Sequence, residues 1–276
     1  MTQTNFDSNG GDSMTVQTNG FIYDGKTSDD FGLIVCKIDG SNASDTSGGE
    51  IEITKVESPI QNRWIKSGNS NYTQALQFGF QVCKSNFKPF DAYEYSSISR
   101  WLCRKDDYKD FMITRQDYDN IHFFTQFNIS PVEVSGNIIG ITITGITDSP
   151  FGYSQLNKYV IECNGFTEYT IFDLSDEIGY IYPDIEIEVN ENCDVIITNT
   201  HENRTFSLKN CVANEIIKID GKMLQMTTNA NRNLYKNTNY IYPRIANDYD
   251  NRKNVFKIQG NCTVTMRYRE IRKVVV

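Results

Sequence analysis

Phe21-Ile22-Tyr23-Asp24-Gly25-Lys26-Thr27-Ser28-Asp29-Asp30-Phe31-Gly32-Leu33-Ile34-Val35-Cys36-Lys37-Ile38-Asp39 places two apolar runs, 21–23 and 31–38, on either side of a segment rich in Asp, Ser and Gly. Asp24 and Gly25 tolerate left-handed turn geometry, while the β-branched Ile34 and Val35 suit a pleated sheet. The stretch therefore predicts strand, turn, strand, with the two apolar runs forming a hairpin.

Outward from it, the chain keeps the same character. Its 276 residues are enough for two domains, and 16 Tyr with 16 Phe favour sheets over helices. No run approaches the ~20 apolar residues that cross a bilayer, so membrane insertion is not expected. Residues 1–17 are polar and show no signal peptide. Residues 1–19 have little to bury and predict a flexible N-terminal arm, and 40–49 reads as a loop. Short strands are expected at 51–56 and 62–66, a turn at 69–71, and a long strand at 72–84. In that strand Leu76, Phe78, Phe80 and Val82 share one face, and Gln77, Gly79, Gln81 and Cys83 the other.

One helix stands out, at 91–103. Asp91 and Glu94 form a capping-box pair, and Tyr95, Ile98, Trp101 and Leu102 fall on one side, with Trp101 as a core anchor. Strands follow at 109–115, 121–129 and 138–147, the last after a Gly136-Asn137 turn. Ser149-Pro150-Phe151-Gly152-Tyr153-Ser154 breaks the pattern and marks a domain boundary. Beyond it no helix is expected. Strands are predicted at 158–162, 167–174, 184–189, 194–198, 205–208, 215–219, 222–226, 254–258 and 263–268. Turns at Asn164-Gly165 and Asp220-Gly221 separate some of them, giving a β-sandwich or jelly roll.

Charge divides along the same line. Residues 1–150 hold 19 acids and 12 bases, a net −7, and residues 151–276 hold 16 and 15, a net −1. Neither half has the basic stripe of a nucleic-acid binder. The seven cysteines (Cys36, Cys83, Cys103, Cys163, Cys193, Cys211, Cys262) form no Cys-x-x-Cys pair and read as reduced, structural thiols. His122 and His201 lie in no metal-ligand spacing, and there is no nucleophile elbow, phosphate loop or dinucleotide fingerprint. No catalytic, cofactor or metal residue is assigned. The alternation of Asp184-Ile185-Glu186-Ile187-Glu188-Val189 reads as a half-buried strand with a solvated acidic face, in preference to calcium or glycosidase carboxylates. Tyr180-Ile181-Tyr182-Pro183 and Tyr240-Ile241-Tyr242-Pro243 echo each other. Their rings are suited to stacking on sugars or, the reading preferred here, to packing the sandwich ends.

The order of these signals resembles the distal tail proteins (Dit) of long-tailed bacteriophages over about residues 20–276. The opening stretch, the Ile98-Ser99-Arg100-Trp101-Leu102 helix end and the Ser149-Pro150-Phe151-Gly152-Tyr153 junction are each similar to features of that family. So are Pro183-Asp184-Ile185-Glu186-Ile187, Asp194-Val195-Ile196-Ile197-Thr198-Asn199 and Ile216-Ile217-Lys218-Ile219-Asp220. The resemblance implies a mainly β protein. Its α+β, tail-tube-like domain with one helix (20–152) would precede a galectin-like β-sandwich (153–276) with no room for an inserted carbohydrate-binding module. It further implies a non-enzymatic virion protein at the phage tail tip, assembled in the host cytoplasm as a homo-hexameric ring. The ring would join the tail tube to the tail-tip or baseplate hub, hold a receptor-binding protein through the C-terminal domain, and pass DNA through its lumen without specific binding. An acidic bias of that lumen is expected from the −7 half. The alternative is a carbohydrate-binding protein acting through the C-terminal sandwich.

Overall fold

The computed structural model describes residues 20–36, 44–47, 51–52, 55–58, 63–66, 71–114 and 120–273. The N-terminal arm and the turn expected at 69–71 lie wholly or mostly outside them. The backbone separates into two compact units, one reaching Phe151 and the other running Gly152–Val275.

Unit 1 contains β1 (Gly20–Tyr23), β2 (Lys26–Thr27), β3 (Leu33–Cys36), β4 (Ser44–Ser47), β5 (Ile51–Glu52), β6 (Lys55–Ser58), β7 (Arg63–Lys66) and β8 (Asn71–Tyr72). These are followed by β9 (Gln77–Lys84), α1 (Ala92–Leu102), β10 (Lys109–Thr114), β11 (Phe123–Val134) and β12 (Asn137–Thr147). The main sheet runs β2-β1-β10-β11-β12-β9-β3, with β4 also on β9; β5–β8 and β6–β7 are separate ribbons. β4 occupies part of the segment expected to be a loop, and the long strand expected at 72–84 is confined to β9. Phe78, Phe80 and Val82 of β9 and Ile141 and Ile143 of β12 point into the core, as their period of two requires. Phe21 of β1 has its ring 5.3 Å from Phe80, although β10, β11 and β12 intervene in the sheet order. The sheet is therefore curled around an aromatic core.

The two apolar runs of the opening stretch do not form a hairpin with each other. Asp24 and Gly25 (φ 51° and 72°) make the left-handed turn, but it closes β1 onto β2 alone. Thr27 then caps a 3-10 turn, Ser28–Phe31, through a reciprocal capping box with Asp30, and Gly32 ends it at φ 63°. That turn redirects the chain, so β3 pairs with β9 at the far edge. The helix forms as expected. Asp91 accepts from the Glu94 amide at 2.8 Å, and Glu94 accepts from the Asp91 amide at 2.9 Å. Its buried residues are Ile98, Trp101 and Leu102. At the tip of the β11–β12 hairpin, Ser135 and Gly136 (φ 52° and 78°) form the turn, one residue earlier than the expected Gly136-Asn137.

Unit 2 contains β13 (Gly152–Tyr153), β14 (Asn157–Phe172), β15 (Gly179–Ile181), β16 (Asp184–Val189), β17 (Cys193–Asn199), β18 (Arg204–Cys211) and β19 (Ile216–Asp220). β20 (Gln225–Thr228), β21 (Ile245–Asn247), β22 (Lys253–Tyr268) and β23 (Ile271–Arg272) complete it. Two strand pairs expected to be separate are single strands. β14 runs through Asn164-Gly165 and β22 through Gly260, and the two pair along their whole length with Gly165 opposite Gly260. Both glycines have positive φ, 85° and 135°, so what reads locally as a turn is a bend in a continuous ribbon. The same face of β22 points inward on both sides of the bend: Phe256 and Ile258 before it, Cys262, Val264 and Met266 after it. β17 pairs with the first half and β16 with the second. Inward side chains from both halves meet in one apolar core, which makes the bent sheet a sandwich. The Asp220-Gly221 hairpin is looser than its sequence suggests, because Asp220 pairs with Gln225 and residues 221–224 form the turn, so the strand expected at 222–226 begins only at Gln225. At Gly221 a Cβ would collide with the Tyr182 carbonyl oxygen, so the glycine serves close backbone approach.

Candidate functional surfaces

The two faces of the unit 1 sheet differ chemically. The inner face is sealed by α1, whose Trp101 is 4% exposed and stacks on Phe31 (4.2 Å, 8°) and Phe21 (5.6 Å, 6°). The Trp101 indole N–H donates to the Tyr23 carbonyl at 2.9 Å, which fixes helix to sheet by one buried polar contact. The outer face carries Gln77, Gln81, Gln126, Asn128, Thr142 and Thr144 in neighbouring register rows. It also carries Asp110, whose carboxylate oxygens lie 2.8 and 2.9 Å from His122 Nδ1. Ile146, half exposed, stands between Gln77 and Gln126 in the same row, so this face mixes amides and hydroxyls with apolar surface. The ladder from β10 to β11 stops at Thr125, so from Gln126 to Val134 that edge of β11 has no strand partner among the described residues.

In unit 2 the alternating acids behave as a solvated strand face. Ile185, Ile187 and Val189 are buried, and Glu186 lies 3.5 Å from Lys218 and 3.7 Å from Arg267. A shallow cavity of about 350 Å³ sits there, lined by Asp184, Glu186, Lys218, Asp220, Gln225 and Arg267 among others. Asp184 accepts the Gly221 amide at 2.8 Å, so its carboxylate closes a turn. His201 is similarly structural: Nε2 lies 2.8 Å from Asp248 and Nδ1 3.2 Å from the Lys253 carbonyl. Among the described residues no group of three or more His, Cys, Asp or Glu is placed to hold a metal ion. All seven cysteines are free thiols, and five are buried. Burial pushes the Cys211 thiol up to about 11 and Cys262 up to about 12, which keeps them protonated and unreactive. A buried ion pair, Glu215–Arg232 at 2.7 Å, closes the loop after β18, with Thr228 donating to the same carboxylate.

The Tyr-Ile-Tyr-Pro echoes follow the expected packing role in part: Ile181 and Tyr242 pack against the unit 2 core, whereas the first tyrosine of each does not. In both, the proline is buried, the second tyrosine half-buried and the first exposed, with Tyr180 at 55% and Tyr240 at 64%. The Arg244 guanidinium covers one face of Tyr180, 3.4 Å from the ring centroid, and donates to the Tyr182 hydroxyl at 3.3 Å. Glu202 holds Arg244 with two hydrogen bonds, 2.8 and 2.6 Å. Tyr240 stacks beside Tyr235 at 6.2 Å and 22°. Sequence reading also missed a backbone feature. Phe87, Tyr240 and Tyr249 have left-handed φ of 57°, 59° and 68°, and each is more than 60% exposed. Large side chains are rare in that region, and composition gives no signal for it.

Comparison with known proteins adds family and fold. A family model for a phage tail protein N-terminal domain matches residues 16–149, and one for a phage tail C-terminal domain matches residues 151–268. Among solved structures the chain is similar to the Dit (gp 19.1) protein of SPP1, described as a paradigm of the hub adsorption apparatus in phages that infect Gram-positive bacteria. The TM-score is 0.63 and the identity 9%, covering 92% of this chain and 99% of that one. No curated protein matches.

Proposed function

Because the chain belongs to the phage tail protein family whose N- and C-terminal domain models it matches, we propose that it is a structural, non-catalytic tail adaptor. Residues 20–152 form a homo-hexameric ring that joins the tail tube to the tail-tip hub and lets DNA pass. Residues 153–276 form the second domain and carry contacts to neighbouring tail proteins, a receptor-binding protein among them. The observation that carries this reading is a Dit-like fold along nearly the whole chain, with the two family models in the same order as its two units. Assembly would take place in the host cytoplasm, before the tail is complete.

Unit 1 has the physical properties such a ring needs. Cyclic assembly is head-to-tail and joins two different surfaces of the same chain. The edge of β11 from Gln126 to Val134, which has no strand partner among the described residues, is one such surface. A wall facing DNA must not hold phosphates, and the Gln, Asn and Thr carpet offers no Lys or Arg among its described residues.

Light scattering and negative-stain imaging of the full chain test the reading. Six-fold rings with a central channel are expected, and residues 20–152 alone should give them too. A chain that stays monomeric at high concentration, or rings made by residues 153–276 alone, would overturn it.

A further inference from the structure

We propose that Cys193 and Cys211 are a thiol-modification site, at which a small-molecule disulfide converts the pair to an intramolecular disulfide that locks the bulged end of β17 and β18. The chemistry belongs to unit 2 alone. Its occasion rests on the tail-adaptor reading, in which a chain made in a reducing cytoplasm is used outside the cell, where disulfides persist.

Register and burial select this pair from the seven cysteines. A disulfide formed in the folded chain needs two opposed positions and one sulfur that a reagent can reach. Directly opposite residues of an antiparallel ladder have Cα atoms about 4.5–5.5 Å apart, inside the roughly 4.4–6.8 Å that a disulfide spans. Cys193 stands opposite Cys211, and Cys163 opposite Cys262. Cys36 stands opposite Gln81 and Cys83 opposite Ile34, so these two thiols are diagonal neighbours. Diagonal Cα atoms are about 7–8 Å apart, too far for a bridge without moving backbone. Cys163 and Cys262 are opposed but only 2% and 0% exposed, so neither offers an entry point. Cys103 is exposed, but it caps α1 and no strand sets a cysteine against it among the described residues. Cys193 is half-buried and directly opposed to a second thiol, so it alone meets both conditions.

The surroundings suit a two-step exchange. The Asn261 amide donates to Cys193 Sγ at 3.3 Å, and the Cys211 thiol donates to the Leu208 carbonyl at 3.6 Å. Hydrogen bonds of sulfur are weak, so both side chains are free to turn toward each other. The register shifts between Cys193 and Val195, and a ladder already interrupted there absorbs the adjustment. First, the Cys193 sulfur attacks one sulfur of the small disulfide; its S–S bond breaks and one small thiol leaves. Cys211 then attacks the Cys193 sulfur of this mixed disulfide, and the second small thiol leaves. The two protein thiols lose two electrons and two protons, and the small disulfide gains both. Burial keeps Cys211 protonated at rest, so it ignores reagents in solution, while Arg232 works against that burial. Held by Glu215 at 2.7 Å, Arg232 donates to Cys211 Sγ at 3.5 Å and supplies the countercharge when the proton leaves.

The test holds the reduced full chain in oxidised glutathione under native conditions and maps its linkages by mass spectrometry after digestion. A Cys193–Cys211 linkage is expected, reversible by dithiothreitol, with Cys36, Cys83, Cys163 and Cys262 still thiols. By closing the loop 194–210 it should raise the thermal unfolding midpoint of unit 2 by about 5–10 °C. Cys193→Ser and Cys211→Ser should each abolish both the linkage and the redox-dependent rise, whereas Cys103→Ser retains them. The mapping is made on the parent chain, so it decides the matter even where a serine variant fails to fold. Cys193 and Cys211 left unlinked, Cys193 joined to Cys163 or Cys262, or Cys163–Cys262 closing first would each overturn the proposal. So would a linkage that leaves the midpoint unchanged. Closure in a chain that stays monomeric would sink the ring and leave this site standing, while rings without closure would do the reverse.

Discussion

Trp101 is the residue on which unit 1 closes, because its ring and its N–H are both satisfied by β1 and the turn after it. Trp101→Ala should cost about 3–5 kcal/mol, measured by urea unfolding. Trp101→Phe should cost less, yet more than the lost area implies, since the Tyr23 carbonyl loses its donor. Glycines of unit 2 separate strain from collision. At Gly165 (φ 85°) nothing lies near an added Cβ, so Gly165→Ala should cost about 1–2 kcal/mol from backbone strain alone. Gly221→Ala drives a methyl into the Tyr182–Pro183 backbone and should be the more damaging of the two. Two buried carboxyls have opposite pH signs. At Glu215 burial pushes the pKa up, but hydrogen bonds from Arg232, Thr228 and the Val212 amide outweigh it and hold the group below the ordinary 4.5. The stability it contributes is present above about pH 4.5 and lost as pH falls through the depressed value. Glu215→Gln should therefore destabilise at pH 7, and the gap to the parent should narrow in acid. At Glu270 burial raises the pKa above 4.5 despite the Leu174 amide and Arg272. Its ionised form disfavours folding, so that penalty is relieved as pH drops through the raised value.

Among elements, α1 was fully legible, because a capping box and a 3.6-residue apolar stripe are local signals. Asp91→Ala should remove about 1 kcal/mol, visible as a lower urea midpoint, while Asp91→Ser should restore most of it. Strand existence and facing were also legible wherever residues alternate, as in β9 and β16. Partner choice was not. β1 and β3 are neighbours in sequence, yet they sit toward opposite edges of the sheet, because the Thr27 cap and Gly32 redirect the chain. Gly165 and Gly260 misled for the related reason that a bend and a turn need the same backbone freedom. Only their cross-strand pairing distinguishes the two uses. The Tyr-Ile-Tyr-Pro echoes were legible as a pair, whereas their exposure depended on Arg244, Glu202 and Asn199, which are distant in sequence from the first echo.

For the molecule, each unit has its own core, so residues 152–275 should fold when expressed alone, with a cooperative transition of their own in urea. A fragment without dispersed amide NMR signals would contradict this. The long ladder of unit 2 also has a kinetic side. β14 and β22 join residues about 80 to 110 positions apart, and β16 and β17 both pair with β22. Loops of that length close late, which places unit 2 among slow, high-contact-order folders. During translation β14 leaves the ribosome with Val160, Phe166 and Phe172 on its exposed side. At 5–20 residues per second it waits roughly five to twenty seconds for β22, the strand that pairs with it. Cooler expression or chaperone holding should therefore raise the soluble yield of this chain more than any change to its finished surface.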